Sequence, residues 1–423
     1  MRDSETMAPV DAFWYWLGLR IPSDQFLLYA FDGTPSDLGR AVSELRRRAL
    51  AQWDFQVRIA DRHPWRYPVW ERCGVADEQF VVHASPGDWN GCLKTLTALM
   101  AGEQVDPTVA PWRVHIFPDV EGVPSTRRSA TVAVVQMSHA LGDGGRSSAL
   151  AAHLFGRTDP VPAVHPRRVR GFVPRTVAAL RWKRVLERDT AAGTVPPALP
   201  PVASLSSNRD AEGKHELRTI VVPRSALPGP SVTVGAMAAI GKALGGVLRA
   251  RGEDPSQLTA QLLVAHRGER TAHNHFASAP IRLHPDVGSR CERARLIQVD
   301  LANWLRRQQH YAFTAEQLAF DAMPAALRRW GTAKANFDVR PAEVPYNTVV
   351  SSVNRGPADL CLGECPVVFT SGYPAIFPMM GLTHGVHGIG DVVAISVRTA
   401  PNVIPDVDDY LDRLRSAAAV SRG

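Results

Sequence analysis

The character of this chain changes once, between Val161 and Asn208, and the change divides everything else. On either side of it, strand-like and helix-like stretches alternate. Within it, a basic run, HPRRVRGFVPRTVAALRWKRVLERD, gives way to TAAGTVPPALPPVASLSSN, rich in Pro, Ala and Ser. The second stretch has the composition of a linker. A chain of 423 residues is also longer than a single core usually serves. The expectation is therefore two domains, residues 1–165 and 209–423, joined by a basic segment and linker over residues 166–208. Apolar residues make up 45% of the chain and charged residues 21%, which suffices for each half to bury a core.

Both halves read as mixed α/β units. In the first, QFLLYAFDG, QFVVHAS, WRVHIFPD and ATVAVVQMSHA are strand-like, while PSDLGRAVSELRRRALAQW and NGCLKTLTALMAG carry helical spacing with start and stop signals. In the second, HELRTIVVP, QLLVAHRGER, ASAPIRLHP, NTVVSSVNRG, CPVVFTSGY, LTHGVHGIG and DVVAISVRTA read as strands. A long apolar helix, VTVGAMAAIGKALGGVLRARG, a helical region from Glu292 to about Trp330, and a closing helix in PDVDDYLDRLRSAAAV, started by Pro405 and Asp406, complete it.

Several classes of function fall away on composition. The five cysteines, Cys73, Cys92, Cys291, Cys361 and Cys365, are too sparse and odd in number for a disulfide framework, and a reducing cytoplasm is the expected setting. The first residues lack a signal-peptide core, and no stretch reaches the ~20 apolar residues of a bilayer span. The net charge of +7 suits polyanions, anionic lipid surfaces or phosphorylated small molecules. Zinc-finger spacing, RNP-type aromatics and a basic heptad helix are missing, so nucleic acid is not an expected partner. His273 with His275, and His384 with His387, have no acidic or cysteine partner at metal-site spacing, and no metal is expected. The basic stretch Arg167–Arg188 carries Phe172, Val177, Leu180, Trp182 and Leu186. It reads either as a solvated basic helix or as an interfacial one touching a membrane or lipid inclusion.

The densest chemistry lies in MSHALGDGG, Met137 to Gly145, directly after the buried strand. An imidazole with an unperturbed pKa of about 6.5 can stay neutral and take a proton from an attacking hydroxyl, thiol or amine. Asp143 need not touch it and is suited to anchoring the loop on a cation. Gly144 and Gly145 suit a sharp turn with room for substrate, and the helix that follows offers its positive N-terminal end to an anion. The residues alone leave two readings open: a catalytic base, or a strand-to-helix turn containing a hydrogen-bonded core histidine.

SHALGDGG resembles the HHxxxDG signature of the condensation superfamily, which includes chloramphenicol acetyltransferase, peptide-synthetase condensation domains and carnitine acyltransferases. More specifically, the chain resembles the bacterial wax ester synthase/diacylglycerol acyltransferase family. The similar segments run in the family's order: MAPVDAFWYWL, VAPWRVHIF with Pro111 and Trp112, the long helix leading into QLLVAHRGER with Arg267, NHFASAPIRL with Asn274, NTVVSSVNRGP with Ser351 and Ser352, and IPDVDDYLDRL. The resemblance implies two chloramphenicol acetyltransferase-like domains, each a mixed sheet with flanking helices, and an active-site tunnel between them. It implies His139 as general base, Asp143 as a structural partner of an arginine with Arg267 as the candidate, and Ser138 and Gly144 as supporting loop residues. Asn274, Ser351 and Ser352 fall at tunnel or oxyanion positions.

The pattern is broken at defined places. Ser138 stands for the family's first histidine, Thr233 and Val234 for an Asn-Asp pair, Ser352 for an asparagine, and Leu263 and Ala265 for a proline and a serine. The implied activity is that of a CoA-dependent O-acyltransferase, with acyl-CoA as co-substrate and no bound cofactor. It would make an ester on a hydroxyl acceptor such as diacylglycerol or a long-chain alcohol, as in triacylglycerol biosynthesis. His139 takes the acceptor proton, the alkoxide attacks the thioester, and the imidazolium returns a proton to the CoA sulfur. The replaced residues motivate two alternatives: acylation of a specialised metabolite from CoA or a carrier protein, and a non-catalytic lipid- or partner-binding protein on the same fold.

Overall fold

A computed structural model describes residues 4–227 and 229–418. The outer ends of the two expected domains, at residues 1 and 423, and the end of the last expected helix, at Val420, lie outside the described residues. Two six-stranded mixed sheets organise the molecule. The first runs Cys361–Leu362, Cys365–Gly372, Gln25–Asp32, Ala130–Met137, Trp112–Val120, Phe80–Val82, with only its last pair parallel. The second runs Phe276–Arg282, Thr259–Ala265, Thr348–Asn354, Thr383–Ile389, Val392–Thr399, Glu216–Pro223, with two parallel pairs around Thr348–Asn354.

The strand Ala130–Met137 is buried at every position, as its Val- and Ala-rich run Val132–Val135 suits in a central strand covered on both faces. Ala133, Val135 and Met137 join one core with Leu150 and Ala151 of the helix Gly144–Leu154. Val132 and Val134 face the helix Trp89–Gly102, meeting its Leu93 and Leu96 in a second core. In the other lobe the helix Val232–Ala250 is long and apolar enough to cross a membrane by length and composition, but most of it is buried inside the protein. Its Gly241 and Gly245 are required by close approach, since a Cβ would stand 2.5 Å from the Leu283 carbonyl oxygen and 2.4 Å from Pro285 Cβ.

Two expectations about organisation are corrected. The halves are not separate along the sequence. Residues 361–372, expected in the second domain, add two strands to the first sheet by pairing with Gln25–Asp32. The helix Ala325–Lys334 likewise docks on the first half, where the Arg20 guanidinium donates to the carbonyls of Thr332 and Ala335 at 2.7 and 2.8 Å. The expected linker is also tied down. Val202–Ala203 pairs with Glu343–Val344, Asn208 donates to the carbonyls of Tyr346 and Met379, and Ser206 bonds Glu253. The basic stretch forms the helix Phe172–Ala191, with Leu186 buried and Trp182 set edge-on against Tyr311.

Candidate functional site

His139 opens a short 3-10 turn, His139–Leu141, at the end of the central strand. Ser138 caps that turn through its hydroxyl, which accepts from the Ala140 N–H. The imidazole is held on three sides. Trp14, on the helix Pro9–Gly18, stacks on it with ring centroids 3.7 Å apart and planes 10° from parallel. Phe276 approaches at 6.1 Å. On the third side Nδ1 lies 3.0 Å from Asn274 Oδ1.

That contact sets the tautomer. The Asn274 amide nitrogen donates to Asp11 Oδ1 at 3.0 Å and, at 2.8 Å, to the His139 carbonyl, which can only accept. Asn274 Oδ1 must therefore accept a hydrogen bond from Nδ1–H. Nε2 is left with its lone pair, and His139 lines a cavity of about 350 Å³. Although His139 is only half-buried, protein surrounds the ring closely enough that burial pushes its pKa down to about 4. The imidazole is neutral at pH 7, with Nε2 as its acceptor nitrogen.

Asp11 holds the arrangement from behind. It is buried in the first turn of the Pro9–Gly18 helix and accepts from the backbone N–H groups of His273 and Asn274 at 2.9 and 2.8 Å, besides the Asn274 side chain. Burial pushes its pKa up to about 7 against the pull of these donors. The sequence reading passed over Asp11, although a carboxylate inside VDAFWYWL is a visible signal: an acid on an apolar helix needs partners.

Asp143 makes no contact with the imidazole. Its carboxylate caps the helix Gly144–Leu154 through the Arg146 N–H at 3.0 Å and accepts from the His275 N–H at 2.8 Å. Its cation is Arg270, at 2.6 Å. Burial opposes the charge of Asp143, yet the Arg270 contact holds its pKa below the usual carboxylate range. This corrects the assignment of Arg267, which is exposed just beyond the strand Thr259–Ala265. The chain turns back before Phe276, so the residue three positions on reaches Asp143 and also donates to the His273 carbonyl.

Gly144 and Gly145 line the cavity at the N-terminus of the helix, where the first N–H groups have no intrahelical partner. Neither has a positive φ, so the turn does not demand them. Packing constrains Gly144 instead, because a Cβ there would stand 3.0 Å from Val353 Cγ2, which would have to give way. Ser351 and Ser352 also line the cavity, and the Ser352 hydroxyl lies 2.7 Å from that of Thr233. Two positions that break the family pattern are therefore partners in space. Asp24 and Arg355 also line the cavity, with the Asp24 carboxylate accepting from Gln136 and the Arg355 guanidinium donating to the Ser371 carbonyl. Among the described residues there is no group of three His, Cys, Asp or Glu placed to hold a metal.

No family model matches the sequence, and no curated protein matches it either. Solved structures do. The wax ester synthase/diacylglycerol acyltransferase from Marinobacter aquaeolei VT8 superposes with a TM-score of 0.62 at 17% identity, covering 98% of both chains. The starter condensation domain of rhizomide synthetase, solved in complex with C8-CoA and Leu-SNAC, gives 0.61 at 12% identity over 98% of this chain and 93% of its own. The trichothecene 15-O-acetyltransferase from Fusarium sporotrichioides gives 0.60 at 11% identity over 99% and 95%. A likeness that spans both lobes at so little identity lies in the backbone, and the fold of this chain is the two-lobed condensation/chloramphenicol acetyltransferase-like fold, in a divergent sequence.

Proposed function

We propose that this protein is an acyltransferase that moves an acyl group from a CoA thioester to a hydroxyl acceptor, with His139 as general base. The observation that carries the reading is the tautomer. Asn274 Oδ1 accepts the hydrogen bond from Nδ1–H, which leaves Nε2 unprotonated on a residue that lines a cavity between the two sheets. Acyl-CoA as donor is supported by the neighbour solved with C8-CoA. In this mechanism Nε2 takes the acceptor's proton as its oxygen attacks the thioester carbon. The developing oxyanion is stabilised from the helix N-terminus at Gly144 and Gly145. The C–S bond then breaks and the imidazolium protonates the departing CoA sulfur.

The test is CoA release with diacylglycerol, long-chain alcohols and smaller alcohols offered separately. His139→Ala is expected to lower turnover by about 10²–10⁴-fold, the range for loss of a general base, with an unchanged melting curve. Equal turnover in the variant would overturn the role of His139. Contact with lipid surfaces belongs to the same reading. The helix Phe172–Ala191 exposes Val177 and Leu180 beside Arg181, Arg184 and Arg188, a composition suited to anionic membranes. Co-sedimentation with anionic vesicles is expected to weaken with added salt; binding indifferent to salt would count against that surface.

A further inference from the structure

Under the helix Phe172–Ala191 lies a second cavity of about 660 Å³, larger than the one that holds His139. Its walls are largely apolar, with Leu180 and Leu186 from that helix, Pro197 and Leu199 from the Pro-rich segment, and Trp304 and Phe313 from the two helices beyond. Two of its charged groups already have partners. Asp300 bonds His284 at 2.8 Å, and Arg307 donates to Thr190 and to the Pro196 carbonyl.

Strand register sets the lining of this cavity beside that of the site. In the antiparallel pair formed by Thr259–Ala265 and Phe276–Arg282, Ala265 opposes Phe276, Leu263 opposes Ser278 and Gln261 opposes Pro280. Alternate residues share a face, so the three pairs form one strip. Ala265, Phe276, Leu263, Ser278 and Gln261 line the His139 cavity, and Pro280 lines the second. Directly opposed residues have Cβ atoms roughly 4.5–5.5 Å apart, so the linings of the two cavities are adjacent at Gln261 and Pro280. Phe276, at the near end, lies beside His139, and four residues of strand carry the strip about 13 Å away from it. Its polar groups satisfy each other, since Gln261 Nε2 donates to Ser278 Oγ at 2.7 Å.

We infer that the second cavity is the compartment for the hydrocarbon tail of a substrate whose reacting end sits at His139. The inference rests on the acyl-transfer reading and adds to it the place where chain length is sensed. The tail lies along the strip of strand residues and ends beneath the basic helix. Each methylene buried there raises affinity about fourfold, so the compartment favours long unbranched chains. The tail belongs either to the acyl group or to the alcohol, and substrate series separate the two.

The experiment compares the protein with its Ala179→Trp variant, which fills the compartment from the surface helix, and with Ala179→Ser as a control of similar size. One arm pairs palmitoyl-CoA against acetyl-CoA with a short alcohol; the other pairs hexadecanol against butanol with acetyl-CoA. Ala179→Trp is expected to lower the long-to-short ratio of kcat/KM by at least about tenfold, or 1.4 kcal/mol, in the arm whose tail uses the compartment, while Ala179→Ser keeps it. An unchanged ratio in both arms, with transfer intact, overturns the compartment and leaves the acyl-transfer reading standing. Pyrene-labelled palmitate gives a readout free of chemistry. Binding lost in Ala179→Trp and kept in His139→Ala supports the compartment even where no acceptor is turned over, an outcome that would sink only the acyl-transfer reading.

Discussion

At the scale of single residues, what matters is which nitrogen of His139 carries a proton. Asn274→Leu keeps the size of the side chain but removes the acceptor for Nδ1–H. We expect kcat to fall at least about tenfold with little change in KM, because the tautomer is no longer set. The pH profile is a second check. With a pKa of about 4, His139 stays neutral from pH 7 down to about 5, and the acid limb of kcat/KM is expected near 4. A limb at 6.5 would mean that the imidazole is solvated. The same shift bears on stability with a definite sign. The unfolded histidine takes up its proton near its ordinary pKa while the folded one resists, so this contribution is lost as pH falls from about 6.5 towards 4. A limb near pH 7 that Asp11→Asn abolishes would belong to Asp11. The arginines give a paired contrast. Arg270→Ala strands the Asp143 carboxylate and is expected to cost about 3–5 kcal/mol, less whatever the two backbone donors to Asp143 recover. Arg267→Ala is expected to stay within about 0.5 kcal/mol. Urea unfolding of the two variants decides the matter.

The elements show why some of the site could be read directly and some could not. A run of buried Val and Ala followed by Ser-His, Asp and two glycines specifies strand, turn and capped helix locally, and the structure has all three. What local sequence could not tell is which glycine is constrained. Gly144 faces Val353, from a strand more than two hundred residues away, whereas a Cβ at Gly145 would meet nothing closer than Asp143 Oδ1 at 3.5 Å. Gly144→Val is accordingly expected to cost about 1–3 kcal/mol through overpacking. Gly145→Ala is expected to be neutral or to stabilise by about 0.4–1 kcal/mol; thermal melts of both variants check this. The arginine partner was missed for a related reason. Arg267 and Arg270 share one short turn, and only the path of the backbone decides which of them points at Asp143.

Across the whole molecule, the two lobes depend on each other. The first sheet is incomplete without Cys365–Gly372, and its strand Gln25–Asp32 would otherwise present an open edge. A fragment of residues 1–208 is therefore expected to aggregate when expressed alone and to become soluble when co-expressed with residues 209–423. A soluble, cooperatively melting 1–208 fragment would contradict this. The exchange escapes sequence reading because CPVVFTSGY has the pattern of any buried strand, and pattern carries no address. The sequence by itself determined the mixed α/β class, the buried strand and the His139 loop, since periodicity, caps and turn residues act over a few residues. Only the tertiary structure decided that Asn274 and Asp11 set the imidazole, that Arg270 pairs with Asp143, and that Thr233 meets Ser352. Each of those contacts joins segments more than a hundred residues apart, and their geometry exists only once the two sheets have packed.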